Sequence, residues 1–459
     1  MVKNLYETNI GKTELFADGE ILEKICGDAA LKLHSPVLKE VAVTSEKPWE
    51  WLFGYPSVIS DGKGGYFLYY RGMGTSRTYN KDECEKQVTC ICHSSDGMNF
   101  SRMDTGFLWE GSKNNNIVYH GSICHNFTPF YDTNPKCLPS QRFKAVGGVY
   151  NQEKNEGLFA LASEDGIHWE LLSNVSIFTS GAFDSQNVAF YDHILGKYRM
   201  YSRYWHTGRS DKHEFGGFRA IQSCVSDDFL HWSEAVPNEY GEEISEHFYT
   251  NATIPCPGAE HLLLSFPNRF NETRKRIMTH DGYGISDTVF MTSHDGVNWE
   301  RLFKESWLRP GMDEKNWTDR NMMIGAGIIE TPDGNFSLIC GEHNYTDDNR
   351  LRRVVIRRHG FVSLSAGWKT GCGITKPFIY EGGDLHLNYS TSAAGYVKAW
   401  LVCADAESPC SAPENTAELY GDTLDDAYSL NTADGFIGKK VRLCFELKDG
   451  DVYTYRFER

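Results

Sequence analysis

The chain has 459 residues and a formal net charge of −16, with 62 acidic and 46 basic side chains spread along its length. There is no basic run to give nucleic acid a concentrated cationic footprint, and no stretch approaches the roughly 20 apolar residues of a membrane span. Aromatics at 13%, 43 glycines and only 15 prolines suit many short strands and tight turns, and exclude a disordered chain.

Residues 1–45 read as an N-terminal arm packing on the domain that follows, or completing its last sheet. Met1 to Glu20 contain no apolar signal-like core, and the 13 cysteines include no CxxC pair. A cytoplasmic protein with reduced thiols is the expectation. Cys84, Cys90 and Cys92 are the densest cysteine group, but no histidine stands near them at metal-binding spacing, so neither metal nor cofactor is expected.

From residue 46 the pattern becomes repetitive. Tyr55 to Ser60 and Tyr66 to Arg71 are predicted strands around an Asp61-Gly62 turn. Phe127 to Tyr131 and Phe143 to Val149 repeat that pattern, followed by Asn187 to Tyr191 with Tyr198 to Arg203. Thr253 to Pro257 with Leu262 to Arg269, then Gly325 to Ile329 with Phe336 to Glu342, continue it. After each pair a third strand leads into one short phrase: Ser94-Ser95-Asp96-Gly97, Ser163-Glu164-Asp165-Gly166, Ser226-Asp227-Asp228, Ser293-His294-Asp295-Gly296, and a degenerate Arg357-Arg358-His359-Gly360. First positions are 69, 63, 67 and 64 residues apart, a period that suits a four-stranded propeller blade with one generous loop. The fold class is therefore all-β, with a five-bladed β-propeller over 46–362. Residues 363–459 alternate as further strands and read as a β-sandwich accessory domain. In the phrases the Asp caps its own turn and the Trp packs between blades.

Ser163 to Trp169, Ser293 to Trp299 and Phe183-Asp184-Ser185-Gln186-Asn187 resemble the five-bladed glycosidase superfamily of glycoside hydrolase families 32, 43, 62, 68 and 117. The resemblance covers about Glu50 to Ser363. It implies a glycosidase that draws acidic residues from different blades. The chain departs from family 32 in having no Asp-Pro dipeptide, and its one Glu-Cys, Glu83-Cys84, lies in a blade-one loop. The phrase is also similar to the sialidase Asp box, which has one more residue between Asp and Gly.

Antiparallel strands place the starts of first strands, the ends of second strands and the starts of third strands at one mouth of the channel. Glycoside cleavage needs a proton donor and an opposing carboxylate. Glu50, ahead of blade one, is the expected base or nucleophile, and Asp184 the carboxylate that steadies the transition state. Asp287 is the first choice of donor, with Glu342 and Glu246 as others. Arg71, Arg203 and Arg269 lie at equivalent second-strand ends, and the set resembles the sialidase arginine cluster that holds a carboxylate, which implies an acidic sugar. Trp49, His125, Asn126, Gln186, Tyr249 and Asn321 complete the expected substrate contacts. The partner is a small oligosaccharide, with neither nucleic acid nor membrane expected, and a homo-oligomer is compatible with the sequence. The reading is a glycoside hydrolase removing a terminal fructose- or arabinose-type furanoside. The rivals are a non-catalytic sugar-binding propeller and a sialidase-like enzyme for an acidic sugar.

Overall fold

The computed structural model describes residues 10–74, 86–148, 157–206, 217–278, 284–406, 410–430 and 433–459. Glu83 and Cys84 fall outside the described residues, as does Val149 at the end of its predicted strand. The chain divides into two compact units, Pro36–Val355 and a second built from Met1–Ser35 with Ile356–Arg459.

The larger unit is the five-bladed propeller. Blade one pairs Gly54–Ser60, Tyr66–Gly72, Val88–Ser94 and Ser101–Arg102 in order. Blade two pairs Thr128–Tyr131, Phe143–Gly147, Phe159–Ser163 and Glu170–Leu171, and blade three Val188–Asp192, Lys197–His206, Phe218–Ser226 and Val236–Pro237. Blade four is split into two three-stranded sheets. Its predicted second strand, Leu262 to Arg269, breaks into Ala259–Ser265 and Asn268–Asn271. Pro267 lies in the gap and has no N–H to continue the ladder. Blade five pairs Asn335–Glu342 with Arg350–Arg357, and its outer strand is Val37–Thr44.

Hydrogen bonds join neighbouring blades around the ring. Tyr69 donates to the Gly166 carbonyl at 2.7 Å, Tyr198 to Asp132 at 2.7 Å and Tyr201 to the Gly296 carbonyl at 2.8 Å. Blades four and five meet through Asn268 and the Asn321 carbonyl, at 3.3 Å. Closure comes where Val58 N donates to Ala326 O at 2.8 Å and Ala326 N to Pro56 O at 2.9 Å. Gly327 makes that approach possible: at φ +100° it has a conformation unsuited to side chains, and a Cβ there would lie 1.9 Å from Val58 O.

The repeated phrase is scaffold, as its chemistry implied. Asp96 and Asp165 each accept two backbone N–H bonds at 2.8–3.0 Å inside their own turns. Hydrogen bonding overcomes burial to pull the Asp165 carboxyl down to about 2. Trp169 packs edge-on against Tyr69 of blade one.

The second unit corrects the expected N-terminal boundary. Leu22–Leu33 pairs with Val362–Thr375 in a seven-stranded sheet of this unit, and Glu14–Leu15 pairs with Lys440–Glu458. Val37–Thr44 pairs in the propeller's fifth blade. The long strands shift register at Ala366/Gly371 and Thr391/Tyr396, and residues from both sides of the second shift, such as Leu387 and Val397, share one core with Phe16 and Phe445. Cys26 and Cys410 form a disulfide, against the expectation of reduced thiols throughout.

Candidate functional site

The propeller mouth is built from residues ahead of the inner strands and from the strand ends beside them. Tyr55 follows Gly54 at the start of blade one's inner strand, and Arg71 lies opposite Gly54 in the ladder. A Cβ on Gly54 would be 2.5 Å from Arg71 Nη2, so the glycine makes room for that guanidinium. His125 ends a short 3-10 turn, Ser122–His125, ahead of blade two. Asp184, Tyr249 and Arg320 lead blades three, four and five. Arg203 and Arg219 come from the second and third strands of blade three.

These groups meet around a pair of phenols. Tyr55 donates to the Asp184 carbonyl at 2.9 Å and lies 3.2 Å from the Tyr249 hydroxyl. His125 Nε2 is 3.2 Å from the same carbonyl, and its Nδ1 is 3.1 Å from Gln87 Oε1. The Arg71 guanidinium stacks on the Tyr55 ring at 4.8 Å and donates to the His125 carbonyl at 3.2 Å. Arg203 pairs with the Asp184 carboxylate and stacks on Tyr249 at 5.2 Å. Arg219 stacks on Trp205 at 4.6 Å and on Tyr249 at 5.8 Å. Arg320 pairs with Asp319 at 3.0 Å and covers the Tyr345 ring at 4.7 Å. Buried donors at Arg71 Nε and at Arg203 Nε and Nη1 have no protein partner. Asp184 is exposed, while Tyr249, Arg219 and Arg320 are half-buried at the mouth.

The electrostatics follow from this crowding of cations. Burial raises the Tyr55 phenol. Burial also works to raise Tyr249, but the charges of Arg320, Arg203 and Arg219 outweigh it, so that phenol lies below the ordinary tyrosine range. His125 is driven well below its usual value by burial and then by Arg71, Arg320 and Arg203. Burial and the nearby Arg219 bring the Arg203 guanidinium down to about 10 against the pull of Tyr249. Tyr55 at φ +50°, Arg320 at φ +59° and Tyr345 at φ +66° hold left-handed backbone without being glycine. Such strain persists where surrounding structure fixes it and clusters at functional sites.

Of the other expected carboxylates, Glu342 lines a small pocket with Tyr55, Arg71 and Arg320, and all four are held by other partners. Glu50 is fully buried: Arg102 donates to it twice at 2.7 Å, Tyr70 once at 2.7 Å, and the backbone N–H groups of Glu46 and Lys47 at 3.2 and 3.0 Å. Every lone-pair direction is occupied, as in a structural ion pair. Glu342 is likewise held by Arg350 and Arg352 at 2.8 and 2.7 Å and by Asn316 at 3.3 Å. Asp287 makes a bidentate pair with Arg269 at 2.9 and 2.6 Å. Glu246 joins that pair through Arg269 at 3.2 Å and is held by Arg301 at 2.6 Å.

Several expected contacts are structural in the same way. Trp49 packs on the blade-one core and donates to Asn116 at 3.0 Å. Asn126 accepts from Gly148 N at 2.9 Å and donates to the Phe183 carbonyl. Gln186 ties blade three to the Pro56 carbonyl at 2.9 Å, and Asn321 accepts from Asn344 N at 2.8 Å. Arg269 lies with Asp287, away from Arg71 and Arg203. The mouth thus keeps Asp184, Arg71, His125, Arg203 and Tyr249 from the sequence reading, with Arg219 at an expected third-strand start, and adds Tyr55, Trp205, Asp319 and Arg320. Arg320 directly precedes the chosen Asn321, and Tyr55 opens a strand that was itself predicted. A polar-residue scan at strand starts passes over a tyrosine there.

No family model matches the chain, and no curated protein matches it. Solved structures similar to it include an N-acetylgalactosamine deacetylase from F. plautii, in complex with blood group B trisaccharide. It is 15% identical with a TM-score of 0.43, covering 71% of this protein and 94% of the other. A thermostable family-43 glycoside hydrolase is 13% identical at a TM-score of 0.45, covering 70% and 92%. A family-43 arabinoxylan arabinofuranohydrolase from Bacillus subtilis, in complex with cellotetraose, is 9% identical at 0.41, covering 91% and 99%.

Proposed function

We propose that this protein is a glycoside hydrolase for a sugar bearing an anionic group, bound in the arginine-lined mouth of the propeller. The observation that carries the reading is the gathering of Arg71, Arg203, Arg219 and Arg320 about Tyr55 and Tyr249, with Asp184 and Asp319 as their paired carboxylates. Four guanidiniums stand against these two carboxylates and Glu342, which leaves the mouth cationic in a chain of net charge −16. Guanidinium forks match a carboxylate or sulfate in two parallel hydrogen bonds. A neutral furanoside makes no use of them, which favours the acidic-sugar alternative over a fructose- or arabinose-type substrate. The blade phrases that resemble glycosidase families support hydrolysis as the reaction class.

Tyr249 acts as nucleophile in this reading and the Asp184 carboxylate as base. The Tyr249 phenolate attacks the anomeric carbon as the bond to the leaving oxygen breaks. The bond's electrons go to that oxygen, which takes a proton from solvent. Water then displaces Tyr249, giving its proton to the Asp184 carboxylate, which returns it to solvent. The arginines hold the Tyr249 phenol below the ordinary tyrosine range, which favours its phenolate, and hold the sugar's anionic group.

The test is chromophore release from 4-nitrophenyl glucuronides, 4-nitrophenyl galacturonides and a methylumbelliferyl sialoside, set against 4-nitrophenyl arabinofuranoside. Turnover of an acidic glycoside, cut by about a hundredfold or more in Asp184→Asn, supports the reading. Turnover of the arabinofuranoside alone overturns it. Binding of acidic sugars with no release in any assay would make the protein a binding propeller instead.

A further inference from the structure

Beside the mouth, blade four holds a cleft of about 880 Å³, lined by Phe218, His247, Phe270 and Trp317 together with the Arg269–Asp287 pair and Glu246. It adjoins the mouth through Arg219. That guanidinium stacks on Tyr249 at 5.8 Å and on Phe270 at 5.3 Å, and the Arg219 backbone N donates to His247 Nδ1 at 3.1 Å. One arginine therefore links a ring of the mouth to two residues of the cleft wall.

The two spaces differ in charge chemistry. At the mouth the guanidiniums outnumber their carboxylates. In the cleft four cations (Arg269, Arg274, Lys304 and Arg309) face four carboxylates (Glu246, Glu272, Asp287 and Glu305), and Arg269 itself is matched by Asp287 in a bidentate pair and by Glu246. Such a pair presents donors and acceptors to hydroxyl groups without selecting an anion. The half-buried Phe218 and Trp317 rings offer apolar surface to the C–H face of a sugar ring, with Arg276 over one face of Trp317 at 5.4 Å and the Trp317 ring fixed by its Nε1 bond to the Gly311 carbonyl at 2.9 Å. The volume lies in the range that encloses a ligand larger than one monosaccharide.

We infer that the blade-four cleft binds neutral glycosyl residues on the leaving-group side of the scissile bond. The substrate class becomes an acidic sugar capping a neutral oligosaccharide, rather than an acidic homopolymer. This placement relative to the bond rests on the function proposed above. The cleft's preference for neutral sugar rests on its own walls.

The two are separable by experiment. Tryptophan fluorescence is titrated with arabinotriose, xylotriose and β-1,4-galactotriose in the parent protein, in Trp317→Ala, in Asp287→Asn and in Tyr249→Phe. The expected result is saturable binding of at least one trisaccharide, weakened about tenfold in Trp317→Ala and in Asp287→Asn, and unchanged in Tyr249→Phe. Isothermal titration supplies the same constants in the variant lacking Trp317. No binding by any of the three, or binding indifferent to both cleft substitutions, overturns the inference. Hydrolysis of acidic aryl glycosides without trisaccharide binding removes the cleft and keeps the proposed function. Trisaccharide binding without such hydrolysis does the reverse.

Discussion

Replacing Glu50 by glutamine should damage stability rather than chemistry. The carboxylate takes Arg102 Nε and Tyr70 on one oxygen, and Arg102 Nη2 with two backbone N–H groups on the other. An amide has one acceptor oxygen. Oriented one way it strands Arg102 Nε and Tyr70; flipped, it strands three donors and places an NH₂ group against them. Each stranded buried donor costs about 1–3 kcal/mol, and a buried ion pair broken from one side costs about 3–5 kcal/mol. Arg102 keeps partial access to water, so the expected loss is at the low end of that range, about 3 kcal/mol. It is read as a shift in urea midpoint by fluorescence, with kcat on an active aryl glycoside measured where the variant is still folded. The folded variant should retain kcat within a few-fold. A Glu50→Met/Arg102→Met double variant should recover most of the stability. A Glu50→Gln protein that unfolds like the parent but has lost turnover by orders of magnitude would refute this assignment and restore Glu50 as a catalytic group.

Tyr249→Phe should abolish turnover of an acidic aryl glycoside while the parent loses rate as pH falls through the depressed Tyr249 pKa. A kcat profile whose acid limb survives in Tyr249→Phe would count against the phenolate. Gly327→Ala should lose about 2–5 kcal/mol, from positive-φ strain and displacement of the two closure hydrogen bonds; a melting temperature within a degree of the parent would mean the ring closes without them. His125 is held neutral, with its folded pKa below the unfolded value near 6.5, so the unfolded state binds the extra proton. Stability is then full above that value and falls by about 1.4 kcal/mol per pH unit below it until the folded residue titrates. Urea midpoints at pH 7.5 and 5.5 should diverge more in the parent than in His125→Gln, and equal slopes would exclude this contribution.

The blades were legible because their signal is local. A turn-capping Asp with Gly after it, a Trp three residues later and period-2 strands on either side all fall within a dozen residues. The inner strand of blade one, for example, runs Gly54–Ser60 against an expectation of Tyr55 to Ser60. The fate of each carboxylate was less legible because it depends on distant partners. Glu50 and Arg102 are far apart in sequence yet share two hydrogen bonds, and nothing near Glu50 announces that arginine. The positive-φ backbone at Tyr55 and Arg320 leaves no compositional mark, since neither residue type suggests it. The strand Val37–Thr44 was open to either role. Its neighbour Leu22–Leu33 joins the other unit because the long strand Val362–Thr375 offers it an edge, and only tertiary pairing reveals that.

Because residues 37–44 form the rim strand of the final blade, opposite residues 350–357, their partner is translated about three hundred residues later. At about 5–20 residues per second, that edge waits on the order of 15–60 seconds on the ribosome with its backbone groups unsatisfied. Leu22–Leu33 waits still longer for Val362–Thr375. Nascent copies of this protein therefore expose two orphan edges early and retire both late, which makes the interval of synthesis, rather than the finished ring, the time when chaperone contact and misassociation matter most.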